Sequence, residues 1–596
     1  MAETSSPFFQ SDHVDSGPMR HALLLRLLRY LKPYALKLGL LFILMGAGAL
    51  LEVLPSEFTL RLIDHHIARG TLEGSGPLIL AFLGLLLLGM VLHILRFALL
   101  AWIGQMAMLD LRMALFSHLM RRSTHFFHHN PVGRLMTRVT TDVQNLNEMF
   151  SSGFVAIVGD ALALLAIVIW MFLKHPGLAL VAVGILPFLL VATEVFRRKA
   201  GDAFRETQGR YAAIQSFLQE QLSGASLVQI NSQEDKSRTG FAALNTAYLK
   251  AFIRTIFAYA VFFPVVELIT AGTLAALIYY AGWKLEHGAL SFGLLLAFIQ
   301  QSSRFFRPIR ELAERYNVMQ TAMASSERIF RLLDDQDEVP QAAHPLPVRF
   351  EQAIRFEEVS FAYEPGGRSI LEGITGVLPR GRRVAVVGPT GAGKSTLINL
   401  LLRFYDAGQG RVTVDGVDVR ELDLGQLRCT FGLVLQDVFV FSGSLQDNIT
   451  LGRPLDPIRL AEVLEQSQLD TLVARLPEGL ATAVGDRGQR LSAGERQLVA
   501  FARMLYGNPA VLVLDEATAN IDAETESRIQ AVIQRVSHRL TTFTIAHRLS
   551  TIRDADEIWV LDQGRIVERG RHDELVARGG TYAKLVDLQF QAAEGA

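Results

Sequence analysis

The sequence predicts a multidomain chain, a bundle of six membrane-spanning α-helices followed by an α/β P-loop domain. Three observations carry that expectation. Apolar runs long enough to cross a bilayer crowd the chain before roughly residue 330. Beyond that point, short apolar strands such as "AIRFEEVSFAY", "RRVAVVG", "AVLVLD" and "EIWVLDQG" alternate with helical patterns, the rhythm of an α/β layer. Between two such elements stands "GPTGAGKST", Gly388 to Thr396, after the strand "VAVV" and before the helix pattern "TLINLLLRF". A phosphate-gripping loop needs that setting.

Composition sets the bounds. At 596 residues the chain exceeds one ordinary core. Hydrophobic residues make up 50% and charged residues 20%, and the mean hydropathy is +0.27. A net charge of −1 gives no bias toward polyanions, so nucleic acid is not an expected partner. The one cysteine, Cys429, excludes an internal disulfide framework and a cysteine-cluster metal site. The opening "MAETSSPFFQSDHVDSG" carries acids and no basic stretch before an apolar core. Neither a cleavable signal nor an Arg-rich transit peptide is expected there.

Taken in order, residues 1–35 read as a tail and an interfacial helix. In "MRHALLLRLLRYLKPY" basic residues line one side of an apolar helix, the pattern of a segment lying on the membrane surface. A plain extension of the first span is the alternative. Residues 36–333 form the membrane domain, with spans at Leu36–Leu54, Leu78–Ile103, Phe154–Leu173, Leu178–Phe196, Ile256–Gly282 and Leu290–Phe306. The sixth is the least apolar, because "FIQQSSRFF" interrupts it. The connections around residues 105–150 and 197–250 are long, helical in pattern and rich in Arg and Lys, whereas "KHPG" and "KLEHGALS" hold little charge. The excess of positive charge puts the long connections and both termini in the cytoplasm of a multi-pass protein of the cell membrane. Arg61 and Arg69, in the first outer connection, are an exception.

Four ionisable residues fall within or near the spans: His93, Arg96, Asp160 and Glu267. Such groups tend to face a bundle interior or a wet cavity. Arg96 and Asp160 also stand where water at a membrane face can solvate them. Glu267, mid-span in "FFPVVELITAG", is the candidate substrate-path residue, with a structural pairing to a neighbouring helix as its alternative. After the helical "RYNVMQTAMASSERIFRLLD", the acids and prolines of "DDQDEVPQAAHPLPV" read as an exposed linker over 334–350. The α/β domain takes 351–590 and a short tail 591–596.

The chemistry sits in that second half. In the loop Gly388, Pro389, Thr390, Gly391, Ala392, Gly393, Lys394, Ser395 and Thr396, glycines let backbone N–H groups turn toward phosphates, and the helix after it adds its dipole. Lys394 is expected on the β- and γ-phosphates and Ser395 on Mg²⁺. In "VLVLDEAT", Asp515 ends an apolar strand where a carboxylate can hold Mg²⁺ through water. Glu516 beside it is placed to orient or deprotonate an attacking water.

Between these motifs lies "LSAGERQ", Leu491 to Gln497, and here the sequence resembles an ATP-binding cassette. The resemblance covers nearly the whole chain and implies a role for each of its motifs. "FAYEPG" resembles the aromatic loop, with Tyr363 stacking on adenine. "VLQDVFVFSGSLQDNI" resembles the Q-loop segment, with Gln436 as a contact to Mg²⁺ and water. "AVGDRG" resembles the exporter loop that touches the inner connections, "ANID" the D-loop with Asp522 near a dimer interface, and "IAHRLST" the switch region with His547 at the γ-phosphate. In the membrane half, "FFHHNPVGRLMTRVTTDV" resembles the first coupling segment of exporters, and "AMASSERIFRLLD" the exit from the sixth span. ATP and Mg²⁺ are the implied cofactors. Ser492 and Gly494 would approach the γ-phosphate of ATP held by an opposite domain.

Three positions depart from the family pattern: Ala493 where Gly is usual, Glu495 where Gln is usual, and Asp486 where Glu is common. With six spans and one cassette the chain resembles half of a transporter, so a dimer is implied. The resemblance implies ATP-driven export of amphipathic, multidrug-like compounds through membrane lipid. Flipping of a lipid or lipopeptide is one alternative, and an ATP-binding regulatory partner with little turnover is another. Ala493 and Glu495 together with "DEATANID" resemble the intact-glutamate half of heterodimeric bacterial exporters, with a homodimer as the alternative.

Overall fold

The apolar runs of the first half become long helices in the computed structural model, which describes residues 21–594 apart from 69, 71–73, 287–289, 306, 365, 516–522 and 546–551. α1 (His21–Leu31) is separated from α2 (Ala35–Leu62) by the 3-10 turn Lys32–Tyr34. Pro33 in that turn has no N–H to continue the helical ladder. Next come α3 (Ser75–Leu119), α4 (Thr124–His129), α5 (Val132–Thr137), α6 (Val143–Glu148), α7 (Val155–Lys174), α8 (Pro176–Val183), α9 (Leu186–Ser223), α10 (Ala225–Ile230), α11 (Glu234–Glu286), α12 (Phe292–Phe305) and α13 (Arg307–Asp334).

Among the described residues, five helical stretches are long and apolar enough to cross a membrane: Leu25–Ile67, Ser75–Leu119, Val132–Lys174, Pro176–Ser223 and Glu234–Glu286. They contain the first five expected spans. The expected sixth corresponds to α12, which the structure describes up to Phe305. Its polar run turns toward α2 instead of lipid. Ser56 donates to Gln300 at 2.8 Å, and the buried Gln301 amide donates to the Val53 carbonyl at 3.3 Å.

α9 and α11 run antiparallel along most of their length. Phe196 stacks on Phe262 with centroids 4.1 Å apart, Thr207 bonds Thr255 at 3.0 Å, and Tyr211 and Phe217 meet Tyr248 and Phe241. At 1.5 Å per residue α11 is roughly 80 Å long, more than twice a bilayer core. Much of this hairpin therefore stands outside lipid, as the charged inner connection predicts. In the same unit Asp142, buried on α5's continuation toward α6, accepts from Arg138 and Ser325 at 2.9 and 2.8 Å and from Arg328. That carboxylate fixes the first inner connection to α13.

The second half builds two sheets from β1 (Ala353–Phe361), β2 (Leu371–Pro379), β3 (Arg383–Val387), β4 (Gln409–Val414), β5 (Val417–Asp418), β6 (Phe431–Val434), β7 (Val511–Asp515), β8 (Thr541–Ile545), β9 (Glu557–Asp562) and β10 (Arg565–Gly570). One is antiparallel, in the order β2-β1-β4-β5. The other has the order β10-β9-β3-β8-β7-β6 and is parallel except at its β10 edge. β3, β7 and β8 are buried along nearly their whole length, which is why they read as unbroken apolar runs. Between and after them lie α14 (Lys394–Leu401), α15 (Leu424–Thr430), α16 (Leu445–Thr450), α17 (Pro457–Gln466), α18 (Asp470–Arg475), α19 (Ala493–Tyr506) and α20 (Ala523–Ser537), then two C-terminal helices, His572–Ala577 and Thr581–Glu594.

Two compact units result. One ends at Met120, resumes at Pro131 and runs to Asp335. The other takes Arg121–Asn130 together with Gln336 onward.

Candidate active site

In an open parallel sheet the ligand crevice lies beyond the carboxyl ends of the strands, and the Gly388–Gly393 loop, Asp515 and Gln436 stand at those ends. The loop Gly388–Gly393 leaves the end of β3 and enters α14 at Lys394. Its glycines have steric reasons. A Cβ on Gly388 would collide with the Leu561 carbonyl oxygen on β9, and one on Gly393, at φ +100°, would stand 2.7 Å from Leu371 Cδ2. Lys394 is buried, and its Nζ donates to the carbonyls of Gly388 and Pro389 at 2.8 and 3.0 Å, so the loop curls around its own cation.

Asp515 ends β7, in register with Ile545 at the end of β8, and β8 lies between β7 and β3. Gln436 is exposed just beyond β6, the strand paired with β7 on its other side. Ser395 is exposed at the start of α14. A hydroxyl, an amide and one carboxylate at one end of a sheet are a hard oxygen set, which suits Mg²⁺ shared with phosphate oxygens. Glu516, Asp522 and His547 lie outside the described residues. In sequence, Glu516 directly follows Asp515 and His547 comes two residues after the last residue of β8.

Tyr363, just after β1, is half-buried. Its hydroxyl lies 3.1 Å from Thr396 Oγ1 and accepts from Asn399 Nδ2 at 3.2 Å, so it leans on α14. Phe361 and Tyr405 meet it edge-on, with centroids 4.9 and 5.1 Å away. At α19, Ser492 is the N-cap. Its hydroxyl accepts from the Glu495 N–H at 3.2 Å, while the Glu495 carboxylate accepts from the Ser492 N–H at 2.8 Å. This reciprocal capping box satisfies two donors of the helix end. Ala493 is exposed and Gly494 buried directly behind it.

The family model for the ABC transporter transmembrane region matches residues 38–309, and the ABC transporter model matches residues 371–519. The uncharacterized ABC transporter ATP-binding protein YknV of Bacillus subtilis is 37% identical over 98% of both chains. This chain belongs to the ABC transporter family. The ABC assignment extends to relatives of named activity. An ATP-dependent lipid A-core flippase of Syntrophus aciditrophicus is 33% identical over 83% of this chain and 82% of its own. A probable multidrug resistance ABC transporter, YheH of Bacillus subtilis, is 34% identical over 80% and 72%. Among solved structures, a bacterial Atm1-family ABC exporter with ATP bound superposes with a TM-score of 0.76 at 28% identity, over 93% of this chain and 98% of that one. The chain is therefore an ATP-hydrolysing, multi-pass ABC exporter with fused membrane and nucleotide-binding halves, and such halves act as dimers.

Two sets of contacts in this ABC nucleotide unit go beyond the motifs that the sequence marked. The segment after Gln436 is pinned by Arg503 on α19, which donates to the carbonyls of Phe439 and Asn448 at 2.9 Å each. Burial lowers the Arg503 pKa from its usual value. The same segment touches the exporter loop, where Ser442 Oγ donates to Asp486 at 3.4 Å.

The second is the coupling segment. Residues 121–130 fold into the nucleotide unit. Ser123 donates through its N–H to the Asp337 carbonyl at 2.8 Å and through its hydroxyl to the Asp337 carboxylate at 2.7 Å. His125 Nδ1 lies 2.7 Å from the same carboxylate, Arg122 pairs with Glu338, and His128 bonds the Tyr405 hydroxyl. Burial pushes Asp337 up, but the bonds from His125 and Ser123 outweigh it and hold the carboxyl below its ordinary value. The sequence marked the histidines through the motif they sit in. No local signal marked Tyr405, which lies 277 positions from His128.

Proposed function

We propose that this chain is half of a dimeric ABC exporter that moves amphipathic, multidrug-like molecules out across the cytoplasmic membrane. The observation that carries the reading is the coupling segment. A stretch that joins two membrane helices in sequence folds with the nucleotide unit, so closure of that unit on ATP has a covalent route to the bundle. Lys394 and the loop amides hold the phosphates. Mg²⁺ bound by Ser395, Asp515 and Gln436 would neutralise charge on the β- and γ-phosphates. Tyr363 stacks on adenine, Glu516 activates water, His547 contacts the γ-phosphate, and Ser492, Gly494 and Asp522 complete the site across the dimer. Both termini and the nucleotide unit are cytoplasmic, on the strength of the positive inner connections. Glu267, exposed on α11, is a substrate-path candidate.

Lipid or lipopeptide flipping is the second reading, and the likeness to a lipid A-core flippase favours it. A regulatory partner without turnover is disfavoured by the intact Lys394, Glu516 and His547. The partner is proposed to be an unlike chain, because Ala493 and Glu495 alter the signature while Glu516 is intact. In inside-out vesicles, ATP should drive uptake of a multidrug-type dye, and a non-hydrolysable analogue should not. ATP-driven movement of a fluorescent lipid without any dye uptake would replace export by flipping.

A further inference from the structure

A cavity of about 400 Å³ opens within the membrane unit, between α2, α3, α7 and α12. Leu44, Leu51, Leu85, Leu86 and Leu92 give it an apolar wall. Arg96, His93, Arg304, Glu52 and Asp160 give it charge. Three of the four ionisable residues flagged in the spans thus meet at one place, and Glu267 is not among its lining. Ionisable groups inside a membrane bundle tend to pair with each other or to serve a path, so their pairing decides what this cavity is.

Asp160 has a partner, since Arg315 holds it at 2.9 Å. The two arginines that line the cavity are held differently. Arg96 donates to His93 Nδ1 at 3.2 Å, one turn away on α3. That contact leaves the imidazole nitrogen as an acceptor, so it brings Arg96 no negative charge. Arg304 donates to the main-chain carbonyl of Glu52. Neither guanidinium forms an ion pair with a carboxylate among the described residues. Both positions can be read along α2. Arg96 Nη1 would stand 3.9 Å from a Cβ on Gly48, and Arg304 reaches the carbonyl of Glu52, one turn further on. Four residues along a helix rise about 6 Å, so the two cations reach α2 about one turn apart. One phosphate or carboxylate group set between them can accept from both, and charge-assisted bonds of this kind are the strong ones.

We infer that this cavity binds the anionic headgroup of an amphipath, a phosphate or carboxylate, between Arg96 and Arg304, with its tail along the leucine wall. The inference rests on the export reading and names its cargo class. Glu52 lines the same cavity and disfavours a second anionic group on the ligand, which points to compact headgroups with one phosphate or one carboxylate.

Binding of C12 chains that differ only in headgroup tests it: lauryl phosphate, laurate and dodecyltrimethylammonium, added to the native dimer in dodecyl maltoside micelles. The two anions should bind about tenfold or more tighter than the cation. Arg96→Gln and Arg304→Gln should each remove most of that preference, and Arg96→Lys should keep most of it, which separates lost charge from lost folding. A phosphate-only response would assign the site to phosphorylated lipids, and a response to both anions to anionic amphipaths in general. Equal binding of cation and anions, or anion preference that survives both glutamine variants, overturns the inference while leaving the export reading in place. Absence of binding by all three, together with ATPase that no amphipath alters and no ATP-driven uptake, removes both.

Discussion

His128 lies nearly parallel to Tyr405, with ring planes 19° apart and centroids 6.3 Å apart, and the two share a hydrogen bond of 2.7 Å. Tyr405 in turn meets Tyr363 edge-on. The coupling segment and the proposed adenine-stacking tyrosine therefore touch the same side chain. Edge-on aromatic pairs contribute roughly 0.5–1.5 kcal/mol. Tyr405→Ala should raise the KM for ATP by about two- to tenfold, and Tyr405→Phe should stay close to the parent. An unchanged KM in the alanine variant would show that Tyr363 is held without its neighbour.

Removing the proposed base separates binding from turnover. Glu516→Gln keeps the shape and hydrogen bonding of the side chain, so ATP should still bind while hydrolysis falls by about 10²–10⁴-fold. Lys394→Ala should weaken binding itself, as read by a fluorescent ATP analogue. Near-parental ATPase in the glutamine variant would take the base role away from Glu516.

The dimer's composition has a mutational signature. Each composite site joins one chain's loop and glutamate to the other chain's signature. In a homodimer Ser492→Ala and Glu516→Gln damage equivalent sites, and both should abolish turnover. With an unlike partner they fall in different sites, so Ser492→Ala should leave much of the activity. ATPase of the natural assembly, compared with this chain purified alone, reads the difference.

A pH dependence arises at the tight turn between β4 and β5. Asp415 and Gly416 form its two central residues, at φ +50° and +87°. The Asp415 carboxylate accepts from the N–H groups of Glu351, Gln352 and Ala353 at 2.5, 2.9 and 2.8 Å. Burial raises its pKa, and these bonds more than offset the rise, so the carboxyl sits below its ordinary value. A depressed carboxylate contributes stability that is full above its unfolded pKa of about 3.9 and is lost as pH falls through the folded value. Asp415→Asn should lower stability at pH 7 by about 1 kcal/mol, allowing for solvent screening. It should also flatten the loss of melting temperature below about pH 4. Parallel acid melting curves for the two proteins would contradict this account.

What the sequence disclosed came from local rules. The loop around Lys394 was legible because only glycine tolerates the positions of Gly388 and Gly393, and the buried strands because a parallel sheet covers both faces. The fifth span was legible, but not the 53-residue helix that contains it and carries Pro264 within it. Proline predicts a break from local chemistry, whereas the α9–α11 packing that surrounds this stretch is tertiary. Asp160 looked solvated because Arg315 lies 155 positions further along the chain. The sixth span read as the least apolar, and the residues that lower its hydropathy bond to α2. Ser492 and Glu495 have the spacing of a capping box, yet the same letters read as a nucleotide signature.

That double reading has a consequence in time. An uncapped helix end offers its N–H groups and positive pole to phosphate. At α19 the Ser492 N–H is already engaged by Glu495, which adds a full negative charge beside the place where the partner's triphosphate would arrive. The Ser492 hydroxyl accepts from Glu495 and still has its own proton to donate. An incoming γ-phosphate would thus meet one donor fewer and a carboxylate that repels it. Between unlike chains the two ends of the closed interface would then differ in grip. In such a dimer the end formed by this signature would let go first, and one side chain, Glu495, would set the order in which the halves part.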